Sequence, residues 1–152
     1  MSRLDRNVYY LNIADAVLER STCLRRKYGA VIVRDDEIIS TGYNGAPRGW
    51  KNCCDIGFCK REAMKIPQGE RYEFCSSIHG EANAIISAAR RDMIGATLYL
   101  AGREVDESPV FNATPCMMCR RLIANAGITK VISRAPEGLQ IITVKGECDW
   151  DL

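Results

Sequence analysis

Apolar residues at Leu4, Val8, Leu11 and Leu18 recur at helical spacing, with Tyr10, Ile13 and Val17 beside them. The chain therefore opens on an amphipathic helix, which Ser21 and Thr22 end. The period then changes. Residues 29–33 (Gly-Ala-Val-Ile-Val) read as a buried strand, Asp35 and Asp36 as a turn, and residues 37–43 as the return strand of a hairpin. Residues 45–77 show no period and hold Pro47, Pro67, several glycines, Cys53, Cys54, Cys59 and Cys75, a stretch too long for a plain connection. Helical spacing resumes over 81–91, alanine-rich and closing on Arg90 and Arg91, cations suited to the negative end of a helix. Residues 96–100 read as a strand. Thr114 is the predicted cap of a helix whose first residue is Pro115, whose apolar face carries Leu122, Ile123 and Ala126, and whose stop is Gly127. Residues 128–133 and 139–144 complete the pattern as strands.

Helix, hairpin, helix, strand, helix, strand is an α/β order. It predicts a three-layer αβα sandwich, with a mixed central sheet of about five strands and helices on both faces. At 152 residues the chain is the size of one domain, 1–152, carrying the cysteine-rich segment as an insert at about 45–77. A chain of this length can bury a core without disulfide staples.

Charge narrows the function classes. Lys and Arg number 21 against 19 Asp and Glu, a net charge of +2, which argues against gripping nucleic acid. No apolar run approaches the ~18–20 residues of a membrane span, and the N-terminal residues carry acid and lack the apolar core of a signal peptide. A cytoplasmic protein without a membrane partner is expected. In a reducing compartment its eight cysteines read as metal ligands rather than disulfides. Any imidazole chemistry must run through His79, the single histidine.

Two short segments concentrate the chemistry: His79, Gly80 and Glu81, and the run Pro115, Cys116, Met117, Met118 and Cys119. Each opens a predicted helix. Cys116 and Cys119 are three apart and so share a helix face, where the positive end of the helix dipole favours thiolate, the form that binds metal. His79 adds a third ligand. One histidine and two cysteines with a fourth position open is how a catalytic zinc site is built. Glu81, two residues past the histidine, has the position of a proton carrier beside a water activated by that metal. The rival reading is a structural zinc knuckle in which Glu81 is incidental.

The pairing of His-x-Glu with Pro-Cys-x-x-Cys is a zinc deaminase signature. The chain resembles the cytidine deaminase superfamily and, within it, the deoxycytidylate (dCMP) deaminases of bacteria and phages. Residues 23–33 (Cys-Leu-Arg-Arg-Lys-Tyr-Gly-Ala-Val-Ile-Val) are similar to the family's opening strand, and 42–49 (Gly-Tyr-Asn-Gly-Ala-Pro-Arg-Gly) to its Gly-Tyr-Asn-Gly-x-Pro-x-Gly motif. Residues 95–99 resemble the strand between the two zinc motifs.

The resemblance implies zinc held by His79, Cys116 and Cys119, with Glu81 moving protons to the cytosine ring nitrogen and the departing ammonia. It also implies Asn44 on the sugar or base, the Gly80 N–H toward the cytosine carbonyl, and Arg25, with Arg26 and Lys27, as candidates for the 5′-phosphate. The bland reading of those three cations is a solvated edge. The product would be dUMP. Possible effectors are dCTP and dTTP at 42–49 near Arg48, and a homo-oligomer is expected. Where family members usually have alanine between the histidine and the glutamate, this chain has Gly80. Cys23 and Cys53 fall where phage relatives place ligands of a second zinc; Cys59 and Cys75 would complete an all-cysteine site, with Cys54 a rival to Cys53 and Cys148 unrelated. Free thiols in a loop are the alternative. Two other functions stay open: deamination of another nucleoside or base, and a non-catalytic zinc protein that binds nucleotide.

Overall fold

The computed structural model describes residues 1–144, so Cys148 lies outside the described residues. The first helix is α1 (Arg6–Leu18), whose cap is Asp5: its carboxylate accepts from the N–H groups of Asn7 and Val8. Strands β1 (Lys27–Arg34) and β2 (Glu37–Tyr43) form the expected hairpin. Its two turn residues, Asp35 and Asp36, have φ of 52° and 61°, the left-handed pair that matches the twist of a two-residue hairpin loop. Three strands follow: β3 (Thr97–Arg103), β4 (Lys130–Ala135) and β5 (Gly138–Thr143). The sheet order is β2-β1-β3-β4-β5, antiparallel throughout except for the parallel β3–β4 pair.

Strand alternation sends the core to both faces. Val31, Val33, Tyr99, Ala101 and Ile132 pack under Tyr10, Leu11, Ala14 and Leu18 of α1. Ala30, Ile32, Leu98, Leu100 and Val131 point the other way, against Ala84 of α4 (Gly80–Ile86) and Ile123 and Ala126 of α6 (Met117–Ala126). Each fully buried leucine or isoleucine here contributes about 1.5–3 kcal/mol of hydrophobic stabilisation. The arrangement is the expected αβα sandwich on a five-stranded mixed sheet.

Three local expectations are corrected. Leu4 is exposed and Val8 only half-buried, because the buried stripe of α1 runs through Tyr10, Leu11, Ala14 and Leu18 instead. The helix expected over 81–91 is broken: α4 ends at Ser87, Ala89 is extended, and a separate short helix, α5, covers Arg90–Met93. Alanine propensity yields there to packing, since the break turns Met93 into the core, where it is 3% exposed. Finally, α6 starts later than expected. Cys116 is its cap in extended conformation, Pro115 precedes it, and the Thr114 hydroxyl donates to the Asn112 carbonyl. Leu122 faces solvent, whereas Ile123 and Ala126 are buried and Gly127 stops the helix in the left-handed conformation.

The aperiodic insert folds into short pieces: α2 (Cys53–Ile56), α3 (Lys60–Ala63) and a 3₁₀ turn (Tyr72–Phe74). Its base is closed by a bridge in which Gly45 and Ile78 exchange both backbone hydrogen bonds, at 3.1 and 2.7 Å.

Candidate metal centre and active-site cavity

Two helix N-termini meet at the centre of the site. His79 caps α4 and Cys116 caps α6, each in extended conformation, so the backbone turns into its helix immediately after a side chain that reaches toward the other. Helix α4 is tied down to β2: Ser40 Oγ donates to the Ala84 carbonyl at 2.7 Å, and Asn83 Nδ2 to the Tyr43 carbonyl at 2.8 Å. His79 Nδ1 lies 3.4 Å from the sulfur of Cys116 and 3.4 Å from that of Cys119. Among the described residues these three form the one group whose ligand atoms all lie within 4.8 Å of one another.

The donor set fits a zinc ion: one imidazole nitrogen and two sulfurs converge on one point, leaving a coordination position open. The electrostatics agree with that chemistry. Cys116 is held far below the usual thiol range, first by the hydrogen bond from Cys119 and then by His79, while Cys119 is pushed up by Cys116 and by burial. His79 is raised, chiefly through its contact with Cys116.

Glu81 is 5% exposed and reaches Cys119, and desolvation raises its carboxyl above the usual range even though His79 opposes the shift. A carboxyl so placed readily carries a proton. Gly80 begins α4, so its N–H is one of the unpaired donors of the first turn. A methyl group built on Gly80 would lie 3.2 Å from the Gly42 carbonyl oxygen and 3.4 Å from that of Tyr28, a close fit against β2 and β1.

A cavity of about 730 Å³ opens above these groups, lined among others by Arg25, Asn44, His79, Gly80, Glu81 and Cys116. Asn44 is largely committed to holding the fold: its Oδ1 accepts from the Tyr28 N–H and the Ser21 hydroxyl, and Nδ2 donates to the Arg26 carbonyl. One Nδ2 hydrogen is left for a ligand. The cations expected to meet phosphate are already paired, Arg25 with Glu62 at 3.0 Å and Arg26 with Glu104 at 2.8 Å. Arg48 is exposed and does not line the cavity. Several lining residues of the insert escape sequence reasoning, among them Arg61, Tyr72 and Ser77. The Tyr72 ring stands edge-on to His79, with centroids 4.9 Å apart. No period or motif marks them, since their places are set by the irregular path of the insert.

The four cysteines named for a second metal come into one neighbourhood. Cys23, Cys53, Cys59 and Cys75 are half-buried and unpaired, whereas Cys54 is exposed. The Cys53 thiol is pushed up first by burial and then by Cys23, Cys75 and Cys59 around it. Among the described residues, they are not brought together as a metal-binding group in the way His79, Cys116 and Cys119 are.

Comparison with known proteins places this geometry. The family described as the cytidine and deoxycytidylate deaminase zinc-binding region matches residues 4–135. The deoxycytidylate deaminase of Mycobacterium phage D29 is 41% identical over 136 residues, covering 87% of this chain and 96% of that protein. The deoxycytidylate deaminase of Schizosaccharomyces pombe is 34% identical over 126 residues, covering 82% of this chain but only 35% of the yeast protein, so this chain spans about a third of it. The dCMP deaminase of cyanophage S-TIM5, in complex with dCMP and dUMP, shares the fold with a TM-score of 0.58 at 24% identity, over 88% of this chain and 85% of that one. The histidine and cysteine pair at the mouth of two helices, the buried glutamate beside them and the extent of these matches agree: the chain belongs to the zinc-binding cytidine and deoxycytidylate deaminase family.

Proposed function

We propose that this chain converts dCMP and water to dUMP and ammonia. The observation that carries the reaction is Glu81, buried beside the metal-ligating trio at the floor of a cavity large enough for a nucleotide. The substrate is supported by the phage and yeast relatives named deoxycytidylate deaminases.

His79, Cys116 and Cys119 would hold zinc, whose chemistry when bound would be to make water nucleophilic at neutral pH. Glu81 takes one proton from the attacking water at its carboxylate and passes it to the ring nitrogen as the new C–O bond forms at the amino-bearing carbon of cytosine. It then carries the proton of the added hydroxyl to the amino group, which leaves as ammonia as the C–N bond breaks and the carbonyl forms. The Gly80 N–H orients the base by donating to its carbonyl, and the free Nδ2 hydrogen of Asn44 meets the sugar. The closed fold around Glu81 keeps bulk water from the proton being moved.

The same reading includes a homo-oligomer in the cytoplasm. Exposed Ile86, Met117, Met118 and Leu122 on α4 and α6 support self-association, and the unpaired state of the described cysteines suits a reducing compartment. No helix among the described residues is long and apolar enough to cross a membrane. The effectors dCTP and dTTP would meet the exposed Arg48, outside the cavity. Cys23, Cys53, Cys59 and Cys75 would hold a second, structural zinc, supported by their convergence.

Ammonia release across dCMP, deoxycytidine, cytidine, guanine and adenosine tests the substrate. We expect dCMP to lead, with kcat/KM for deoxycytidine lower by at least roughly tenfold, because charge-assisted hydrogen bonds to a phosphate are each worth about 1.5–3 kcal/mol. Equal rates for dCMP and deoxycytidine, or preference for another base, overturn the reading.

A further inference from the structure

Arg61 on α3 is 6% exposed, and Arg61 and Glu81 are the buried ionisable residues other than tyrosine and cysteine among those described. Its Nη2 donates to the carbonyls of Pro67 at 3.2 Å and Glu70 at 2.8 Å. Its guanidinium lies over the Tyr72 ring, 4.6 Å from the centroid. Its Nε is buried without a partner, and among the described residues no carboxylate pairs with it. Arg61 lines the cavity, and so does Ser77, whose buried Oγ also lacks a partner.

A buried cation held only by neutral carbonyls and a ring face is costly unless an anion completes its environment. Arg25 and Arg26, at the same cavity, have their charge met by Glu62 and Glu104; Arg61 does not. The Tyr72 ring lies against both the Arg61 guanidinium and the His79 ring, at 4.6 and 4.9 Å, so the unmatched charge stands one ring contact away from the metal ligands. A nucleotide needs that disposition, with the base at the metal ligands and the 5′-phosphate beyond the sugar. Guanidinium is also the side chain suited to a phosphate monoester, which it meets through paired N–H donors.

We propose that Arg61, rather than Arg25, reads the 5′-phosphate, and that the insert thereby sets the preference for nucleotide over nucleoside. This rests on the reading of the chain as a dCMP deaminase. Ser77 Oγ supplies a second donor on the same wall. Tyr72 is a positioning residue: its ring touches both the guanidinium and the His79 ring.

The test compares dCMP with deoxycytidine, and the binding of dUMP with that of deoxyuridine by calorimetry, in wild type, Arg61→Met, Arg61→Lys and Arg25→Met. In Arg61→Met we expect kcat/KM for dCMP to fall by about tenfold or more while that for deoxycytidine stays within about twofold, and the affinity gap between dUMP and deoxyuridine to close. Arg61→Lys should restore part of both. A role confined to tying the insert together lowers the two substrates equally, and that result overturns the proposal. Preference kept in Arg61→Met but lost in Arg25→Met overturns it as well. If Arg61→Met does not fold, Arg61→Lys decides: a wild-type preference ratio there overturns the assignment, and a reduced ratio supports it. A wild-type protein without preference for dCMP overturns the functional reading itself, which separates the two failures.

Discussion

A Cβ built on Gly42 would lie 2.3 Å from the backbone nitrogen of Ala84. It would be equally close to the Gly80 carbonyl oxygen, so β2 and α4 touch through backbone alone. This contact, with the Ser40 and Asn83 hydrogen bonds, fixes where His79 and Glu81 enter the cavity. Part of the Gly-Tyr-Asn-Gly pattern is therefore a packing requirement and not a ligand contact. Its asparagine behaves likewise, spending its carboxamide oxygen on Tyr28 and Ser21.

Gly42→Ala should push α4 off the sheet. Overpacking of this kind costs about 1–3 kcal/mol, and the obstructing atoms here are backbone and cannot rotate away. We expect the upper end, a fall in Tm of roughly 6–12 °C for a chain this size, with reduced zinc at the His79 site. Calorimetry and metal analysis of the purified variant read both. An unchanged Tm would mean that α4 is not held in backbone contact with β2.

Where chemistry follows local sequence, it is legible before folding. His79, Glu81, Cys116 and Cys119 are identifiable because spacing at two helix starts fixes their relative directions, and the two starts do meet. The hairpin is equally plain, since Asp35 and Asp36 sit between two apolar runs. Long-range packing decides what spacing cannot. The break at Ser87 exists so that Met93 can be buried, and nothing in an alanine-rich run signals it. The partner of Arg25 is Glu62, far away in sequence, so a charge read as free is already matched. Arg61 is hidden for the same reason, because its burial depends on the turn that brings Pro67 and Glu70 around it.

The site divides into metal holding and proton transfer, and substitutions should separate them. Cys119→Ala removes one of the three ligands and should empty the site of zinc, read by metal analysis after dialysis. Glu81→Gln keeps the shape and should keep the zinc, but it cannot accept a proton. Its kcat should fall by about 10²-fold or more, the scale of a general acid or base. Zinc retained in Cys119→Ala, or wild-type turnover in Glu81→Gln, contradicts the assigned roles.

The alkaline limb of stability offers a check far from the site. The Tyr10 hydroxyl donates to Asp36 Oδ1 at 2.6 Å, and burial followed by that acceptor pushes its pKa from 10.0 up to about 12. A folded-state pKa above the unfolded one stabilises fully below the unfolded value and is lost as pH rises through the folded value. Stability should therefore decline between pH 10 and about 12 as Tyr10 ionises. Tyr10→Phe should flatten that part of the curve in urea titrations at stepped pH. An identical decline in the variant would assign it to other groups.

The cysteine cluster makes the last prediction, two zinc ions per chain. The insert cannot order itself by burial: Trp50, Ile56, Phe58 and Met64 are 66%, 45%, 55% and 47% exposed. Yet it supplies Arg61, Tyr72 and Ser77 to the cavity wall, positions that must be held. Cys53, Cys59 and Cys75 come from separate pieces of the insert, and Cys23 from the segment before β1. A closed tetrathiolate shell would draw these sulfurs inward and pin the insert to the sheet, and structural zinc contributes on the order of 10–16 kcal/mol in small peptide domains. Cys59→Ser should lower the metal count from two to one, spare the zinc at His79, and weaken dUMP binding through a loosened wall. One zinc in the wild-type protein purified without chelator, with Cys53, Cys59 and Cys75 all alkylated rapidly in the native state, would leave only a thiol-rich loop.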